Sequence, residues 1–325
     1  MNSNTLRRMA PWMLLVSCAV MPLALLHQAA EAQSPSGYQT LTYPSAIYTT
    51  ANGVYGSTVV GTYQDSSNVY HGFTYDLNSQ TYTPYSASNA SATYFYGVSG
   101  SSIVGSYVDS STGNSVGFWY NGVSGTSLSA PSGTATAAYG ISGTSIVGAF
   151  TGTSGASSGF QYSTPTQQWA TLNAPGATDT WAYGISGSSI VGGFLTGGGA
   201  LEGFLYDGST WTTLQYPSAS STVARGIGGT TIAGSFNASS GWQGFLLSGT
   251  TWTPLAVPGA ANGSYAMGTD GSYVVGSYYD SNLVGYGFIA TVPEPSATAV
   301  AAVSAGLAGF MLWRKRRRAK TTVGA

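Results

Sequence analysis

Side-chain catalysis needs nucleophiles, bases or metal ligands within reach of one another, and this chain offers few. Between Gln33 and Val292 there is one histidine, His71, and no cysteine. A Ser-His-Asp arrangement needs only one histidine and stays formally open. Yet His71 occupies a repeated position where the other copies carry Val116, Ser158, Glu202, Gln243 and Tyr286. That pattern reads as a surface side chain of a strand. A single histidine cannot build a histidine-rich zinc site. Paired carboxylates could hydrolyse glycosides, and eight acids are available: Asp65, Asp76, Asp109, Asp179, Glu202, Asp207, Asp270 and Asp280. Most fall in turn-like contexts, where a carboxylate bonds its own backbone. No calcium loop of alternating Asp and Asn occurs. No phosphate loop occurs either, since no lysine precedes Lys315. No catalytic residue, metal ligand or cofactor is expected.

Charge excludes a further class. Arg225 is the only basic residue between Ser34 and Pro293, and against eight acids it leaves that span at −7. Such a surface repels phosphate backbones, so no nucleic acid is expected as a partner. The aromatics are the remaining functional signal. Trp169, Trp211 and Trp252 each hold one repeat position. Exposed, they could stack on sugar rings, which makes exopolysaccharide a candidate partner. Packing is the alternative use of repeated aromatics.

The elements that would position these groups are written six times. YGISGTSIVGAF at Tyr139–Phe150 returns as YGISGSSIVGGF at Tyr183–Phe194, and four more copies are recognisable. The opening glycines are Gly53, Gly97, Gly140, Gly184, Gly226 and Gly268, spaced 44, 43, 44, 42 and 42 apart. Each copy continues with a Gly-Phe pair, such as Gly72-Phe73 or Gly159-Phe160, and then with Leu and Pro three apart, as in Leu172 and Pro175. The second copy reduces this last segment to Tyr82-Thr83-Pro84. Short runs of Ile, Val, Tyr, Phe and Trp between Gly, Ser, Asn and Asp are strand and turn signals. Four short strands per 42–44 residues is the length of a propeller blade. An all-β, six-bladed β-propeller over 33–292 is therefore expected, with an open β-solenoid as the alternative. The repeats begin on a Leu-Pro segment at Leu41 and end on a Gly-Phe strand at Ile289. The first segment would then complete the last blade. Glycines after two apolar residues, Gly105, Gly148, Gly192, Gly234 and Gly276, suggest a bend or a close strand approach near a crowded axis.

The phrase His71-Gly72-Phe73-Thr74-Tyr75, with the Val-Val-Gly-Ser-Tyr and Leu-Pro segments, resembles the HAF repeats of bacterial extracellular proteins. The resemblance implies an extracellular, propeller-like repeat protein.

Both chain ends read as targeting signals. Arg7 and Arg8, the apolar run from Pro11 to Leu26 and the small-x-small site Ala30-Glu31-Ala32 read as a signal peptide over 1–32, cleaved to free Gln33. A lipobox at Leu15-Val16-Ser17-Cys18 is the rival reading. At the other end, 293–325, Pro293-Glu294-Pro295 precedes 18 uncharged residues, 296–313, expected to form one transmembrane helix. Arg314, Lys315, Arg316, Arg317 and Arg318 follow as a cytoplasmic stop. This order resembles the PEP-CTERM sorting signal of Gram-negative bacteria. The resemblance implies an exosortase-type processing protease as partner, transient residence in the inner membrane, and export to the surface or beyond. The functional expectation is a non-enzymatic surface or extracellular-matrix protein, with a glycan-active hydrolase or lyase as the alternative.

Overall fold

The computed structural model describes residues 34–293, which form six four-stranded antiparallel sheets. Among these residues there is no helix, and none long and apolar enough to cross a membrane. The expected helix at 296–313 and the signal at 1–32 lie outside the described residues.

Each sheet is one blade of a closed propeller, so the solenoid alternative falls. In the first five blades, strand order follows the chain from the axis outward. Their innermost strands are Tyr48–Tyr55, Ala90–Ser99, Gly133–Ser142, Ala177–Ser186 and Ser221–Gly228. Blades two to four repeat one burial pattern on this strand, alternating until two consecutive buried residues, as at Gly184 and Ile185. The switch coincides with a β-bulge: Ala182 faces Gly192, but Gly184 faces Val191, leaving Tyr183 as the extra residue. The same bulge recurs at Asn52, Tyr96, Tyr139, Arg225 and Met267.

The glycines do two different jobs. A Cβ on Gly140 would lie 2.8 Å from the Tyr183 carbonyl oxygen in the next blade, and one on Gly97 would lie 2.7 Å from that of Tyr139. Around the ring, Gly53 meets Tyr96, Gly184 meets Arg225, Gly226 meets Gly268, and Gly268 meets Asn52. The opening glycines thus form the crowded axis. The second set acts elsewhere, which corrects the sequence-based assignment. Gly148 lies under the Phe160 ring, whose Cε1 would be 2.7 Å from an added Cβ, and against the Ala137 carbonyl of its own blade. Each Gly-Phe phenylalanine fills such a hollow, and Phe73, Phe118, Phe160, Phe204, Phe245 and Phe288 are all buried.

Two further contacts order the repeat. Within a blade the Gly of the Gly-Phe pair lies opposite the Leu of the Leu-Pro segment, as in Gly117 with Leu128 and Gly159 with Leu172, while Gly72 lies opposite Tyr85 in the copy without that leucine. A buried threonine on the innermost strand accepts a hydrogen bond from the backbone leaving the preceding blade. The donors are the N–H groups of Tyr43, Ala87, Ala130, Ala174 and Tyr216; the acceptors are Thr49, Thr93, Thr136, Thr180 and Thr222.

Closure follows the expected interlock. The sixth blade contains Ser264–Thr269, Tyr273–Tyr279 and Gly285–Thr291, and its outer strand is Ser36–Leu41 from the other end of the chain. Leu41 pairs with Gly287 and Thr40 with Phe288. Leu41 is 1% exposed. Thr40 hydrogen-bonds Tyr278 through the two hydroxyls at 3.0 Å.

Removing 33–44 should therefore lower the melting temperature by on the order of 10 °C, since losing a buried leucine alone costs about 2–5 kcal/mol. A truncated chain that melts within a degree or two of the parent would contradict the interlock. Gly148→Ala should cost more than about 2 kcal/mol, because the backbone carbonyl cannot give way. Gly152→Ala, whose nearest neighbour would be 3.6 Å away, should change stability by less than about 1 kcal/mol. Denaturant unfolding of the pair separates the two.

Candidate functional site: the axial cavity

The bulges set what the axis carries. The six bulged residues line a cavity of about 170 Å³ at the centre of the ring. Three are tyrosines from successive blades. The Tyr96 and Tyr139 rings meet edge to face at 5.1 Å, and Tyr139 and Tyr183 are tilted at 5.0 Å. The guanidinium carbon of Arg225 then sits 5.2 Å from the centre of the Tyr183 ring, within cation–π range. Asn52 is held in place, donating to the Phe95 carbonyl at 2.7 Å and to Thr62 at 3.3 Å. The cavity continues to Ser99, Ser142, Ser186 and Asp270. Ser99 and Ser142 each accept a hydrogen bond from the backbone N–H of the next blade, Gly143 at 3.3 Å and Gly187 at 3.2 Å. Tyr55, 52% exposed, marks the open end.

Arg225 is the single Lys or Arg in the described span. Among the described residues the one ion pair within 4.0 Å joins His71 and Asp65, so no carboxylate pairs with Arg225. Its Nε is buried without a hydrogen-bond partner. Asp270 shares the cavity but is committed to the turn, accepting from the backbone of Gly56 at 3.1 Å, Ser272 at 2.9 Å and Tyr273 at 2.8 Å. Burial holds the Tyr96 phenol up at about 12. Burial also raises Tyr139, reinforced by Tyr96 and Tyr183, and raises Tyr183 against the opposing pull of Arg225. All three are neutral hydroxyls at pH 7. The cavity thus offers aromatic faces, hydroxyl donors and one positive charge, and it holds no pair of acids.

The tryptophans sit elsewhere. Trp169, Trp211 and Trp252 lie on outer strands and pack within their own blades. Trp169 lies 4.8 Å from both Phe160 and Tyr162, Trp211 lies 4.8 Å from Phe204, and Trp252 lies 4.8 Å from Phe245. Each is half-buried. They frame the blade cores, and the axial tyrosines replace them as the concave aromatic group. The sequence signal for those tyrosines was present, since each precedes an opening glycine. The bulge that turns them to the axis was not.

The structure also assembles a group that sequence reading set aside. His71 Nδ1 lies 2.8 Å from Ser86 Oγ, and its Nε2 lies 3.1 Å from Asp65 Oδ2. The three side chains sit on the surface between the first two blades and do not line the axial cavity. The second carboxylate oxygen of Asp65 caps its own turn, accepting from Ser67 at 2.8 Å and Val69 at 2.9 Å. Asp76, Asp109, Asp207 and Asp280 cap turns in the same way. Hydrogen bonds to the Ser111 hydroxyl and the Thr112 backbone, in that order of strength, bring Asp109 down to about 2. Among the described residues no group of three or more His, Cys, Asp or Glu could hold a metal.

Comparison with known proteins bears on the sorting tail and on the fold. Residues 291–318 match the family model of the PEP-CTERM protein-sorting motif. The chain therefore carries the signal of proteins exported through an exosortase-type system with transient anchoring at the C-terminus. In fold, it is similar to a TolB from Agrobacterium tumefaciens, at TM-score 0.52 and 12% identity over 77% of this chain and 91% of that one. It is also similar to the β-propeller domain of the trilobed protease from Pyrococcus furiosus, at 0.48 and 10% over 77% and 98%. The fucose-specific lectin from Aleuria aurantia gives 0.48 and 13% over 80% and 100%. At such identities only the propeller is shared. No curated protein matches the sequence.

The titration of the site has a definite sign. A phenol whose folded pKa is raised adds stability that is complete below its unfolded value of about 10 and is lost as pH rises through the folded value. The turn carboxylates behave oppositely. With folded values depressed, their contribution is present above about 4 and is lost as pH falls toward 2. Stability should be flat between pH 5 and 9 and fall on both flanks. Tyrosinate absorbance should rise in two phases, the later one coinciding with loss of the sheet circular dichroism. A single phase near pH 10 in a folded chain would contradict the burial of the axial tyrosines.

Proposed function

We propose that the chain is an exported, non-enzymatic protein of the cell surface or extracellular matrix that binds exopolysaccharide at the propeller axis. The observation that carries this reading is the axial cavity, where three aromatic rings and their neutral hydroxyls converge in a concave site. Such a lining suits a sugar, which has apolar ring faces and hydroxyls on its edge. The route outward follows from the sorting motif. The signal peptide over 1–32 is removed after Ala32. The span 296–313 holds the chain in the inner membrane with Arg314–Arg318 on the cytoplasmic side, and an exosortase-type protease cuts near Pro293-Glu294-Pro295. Proline resists helix continuation and favours extended neighbours, so the sequence Pro293-Glu294-Pro295 suits a protease cleft.

Two experiments test the reading. A glycan array probed with the full chain should retain bacterial exopolysaccharides, and a blank array would remove the ligand from the proposal. Mass spectrometry of host fractions should find the surface or matrix form without peptides beyond Trp313, and Glu294→Ala should leave the uncut chain in the inner membrane. Tail peptides on the exported protein would make 293–325 a permanent anchor.

One observation favours a second reading, that of a hydrolase. Ser86, His71 and Asp65 are in hydrogen-bond sequence, the connectivity of a nucleophile, a base and an orienting acid. Their exposure and the absence of a flanking cavity weigh against it. A glycan-active hydrolase or lyase working by paired acids has less support, because the axial cavity contains Asp270 as its one acid. We expect no turnover of aryl esters, peptides or glycosides by the full chain. Turnover that disappears in Ser86→Ala or His71→Ala would establish the second reading.

A further inference from the structure

Arg225 carries a charge that no carboxylate balances. The equivalent bulge positions in the other blades carry Asn52, Tyr96, Tyr139, Tyr183 and Met267, so the ring closes equally well around neutral side chains. A guanidinium withdrawn from water is costly unless it is paired. Here it has one aromatic face and no carboxylate, and its Nε has no partner. The domain places its single Lys or Arg at the one point where all six blades converge, and pairs it with no carboxylate.

We infer that Arg225 is the anchor of a carboxylate-binding subsite in the axial cavity, and that its ligand is the uronic-acid unit of a saccharide. This inference rests on the saccharide reading above and narrows it. The planar fork of an arginine matches the two oxygens of a carboxylate. Arg225 lines the cavity, and the neutral hydroxyls of Tyr139 and Tyr183 stand near it. A cavity of about 170 Å³ accommodates a single ring, since a cavity of about 150 Å³ binds benzene. The surrounding charge sets a second limit. With eight acids outside or at the rim and one arginine within, a densely charged polyanion is repelled at long range. The ligand is therefore a mostly neutral chain bearing an isolated or terminal acidic sugar, which enters end-on past Ser99, Ser142 and Ser186.

The test compares two sugars of the same shape. Glucuronate and glucuronamide are titrated calorimetrically into the full chain in detergent, with glucose and acetate as separate arms. Glucuronate should bind at least tenfold more tightly than glucuronamide or glucose, and raising salt from 0.05 to 0.5 M should narrow the gap. Acetate should bind more weakly than glucuronate, since it lacks the ring that the tyrosines hold. Arg225→Met, which copies the residue at position 267, should retain the melting temperature and abolish the preference for the acid. Equal affinity for acid and amide overturns the inference in the unmodified chain, whatever the variant does. So does an unchanged preference in Arg225→Met. Acetate binding as tightly as glucuronate overturns the sugar assignment. If neutral exopolysaccharides are retained on the array while acid and amide bind alike, the subsite fails and the broader saccharide reading stands. If nothing is retained and neither sugar binds, both fail.

Discussion

The structure depends on how closely six backbones can approach one axis. Each opening glycine lies against the peptide group of the next blade, and the contacts run in a complete circle from Gly53 through Gly268 and back. A side chain at any of these positions would push two blades apart, and in a closed ring that displacement has nowhere to go. The interval of 42–44 residues between the glycines is the length of chain needed to travel out through four strands and return to the axis. The rest of the repeat serves that circuit. A second glycine makes room for a phenylalanine, a third lies opposite the outer leucine, and a threonine fastens the return to the next blade.

Closure also determines which side chains reach the axis. Where every innermost strand bulges, one side chain per blade is delivered to the axis. A propeller of near-identical blades therefore displays a ring of six independently variable residues at its centre while the blade cores stay constant. In this chain the ring holds three tyrosines, one arginine, one asparagine and one methionine. That combination distinguishes the cavity from a packed core, because phenols and a guanidinium interact with hydroxylated and anionic ligands as readily as with one another. The sorting motif at 291–318 marks the chain that carries this ring for export.

Much of the fold was legible because its constraints act on residue type. The spacing of Gly97, Gly140 and Gly184 disclosed the blades. The balance of Leu-Pro and Gly-Phe segments disclosed that Leu41 belongs to the last blade. The contacts that involve backbone partners were harder to read. The sequence contains Thr180 and Ala174 but not the hydrogen bond between them, and it contains Gly148 but not the Ala137 carbonyl that requires it. That is why the second glycine set was assigned to the axis, when its constraint lies inside each blade. The aromatics divided along the same line. Trp169, Trp211 and Trp252 stood out by regularity, and regularity is what a repeated core produces. The axial tyrosines required knowledge of the bulge. Ser86 could not be linked to His71 from sequence, because it lies on the connection to the next blade and carries no motif.

The central claim is that the two ends of the domain form one cooperative blade that locks the ring. Hydrogen exchange of the full chain followed by mass spectrometry tests it directly. If Ser36–Leu41 closes the circle, its amides can open only when the sixth blade and the axis open with them. The account predicts that Ser36–Leu41 exchanges as slowly as its partner Gly285–Thr291 and that both lose protection together as denaturant is added. Exchange of Ser36–Leu41 at the rate of a frayed terminus, while Gly285–Thr291 stays protected, would contradict it.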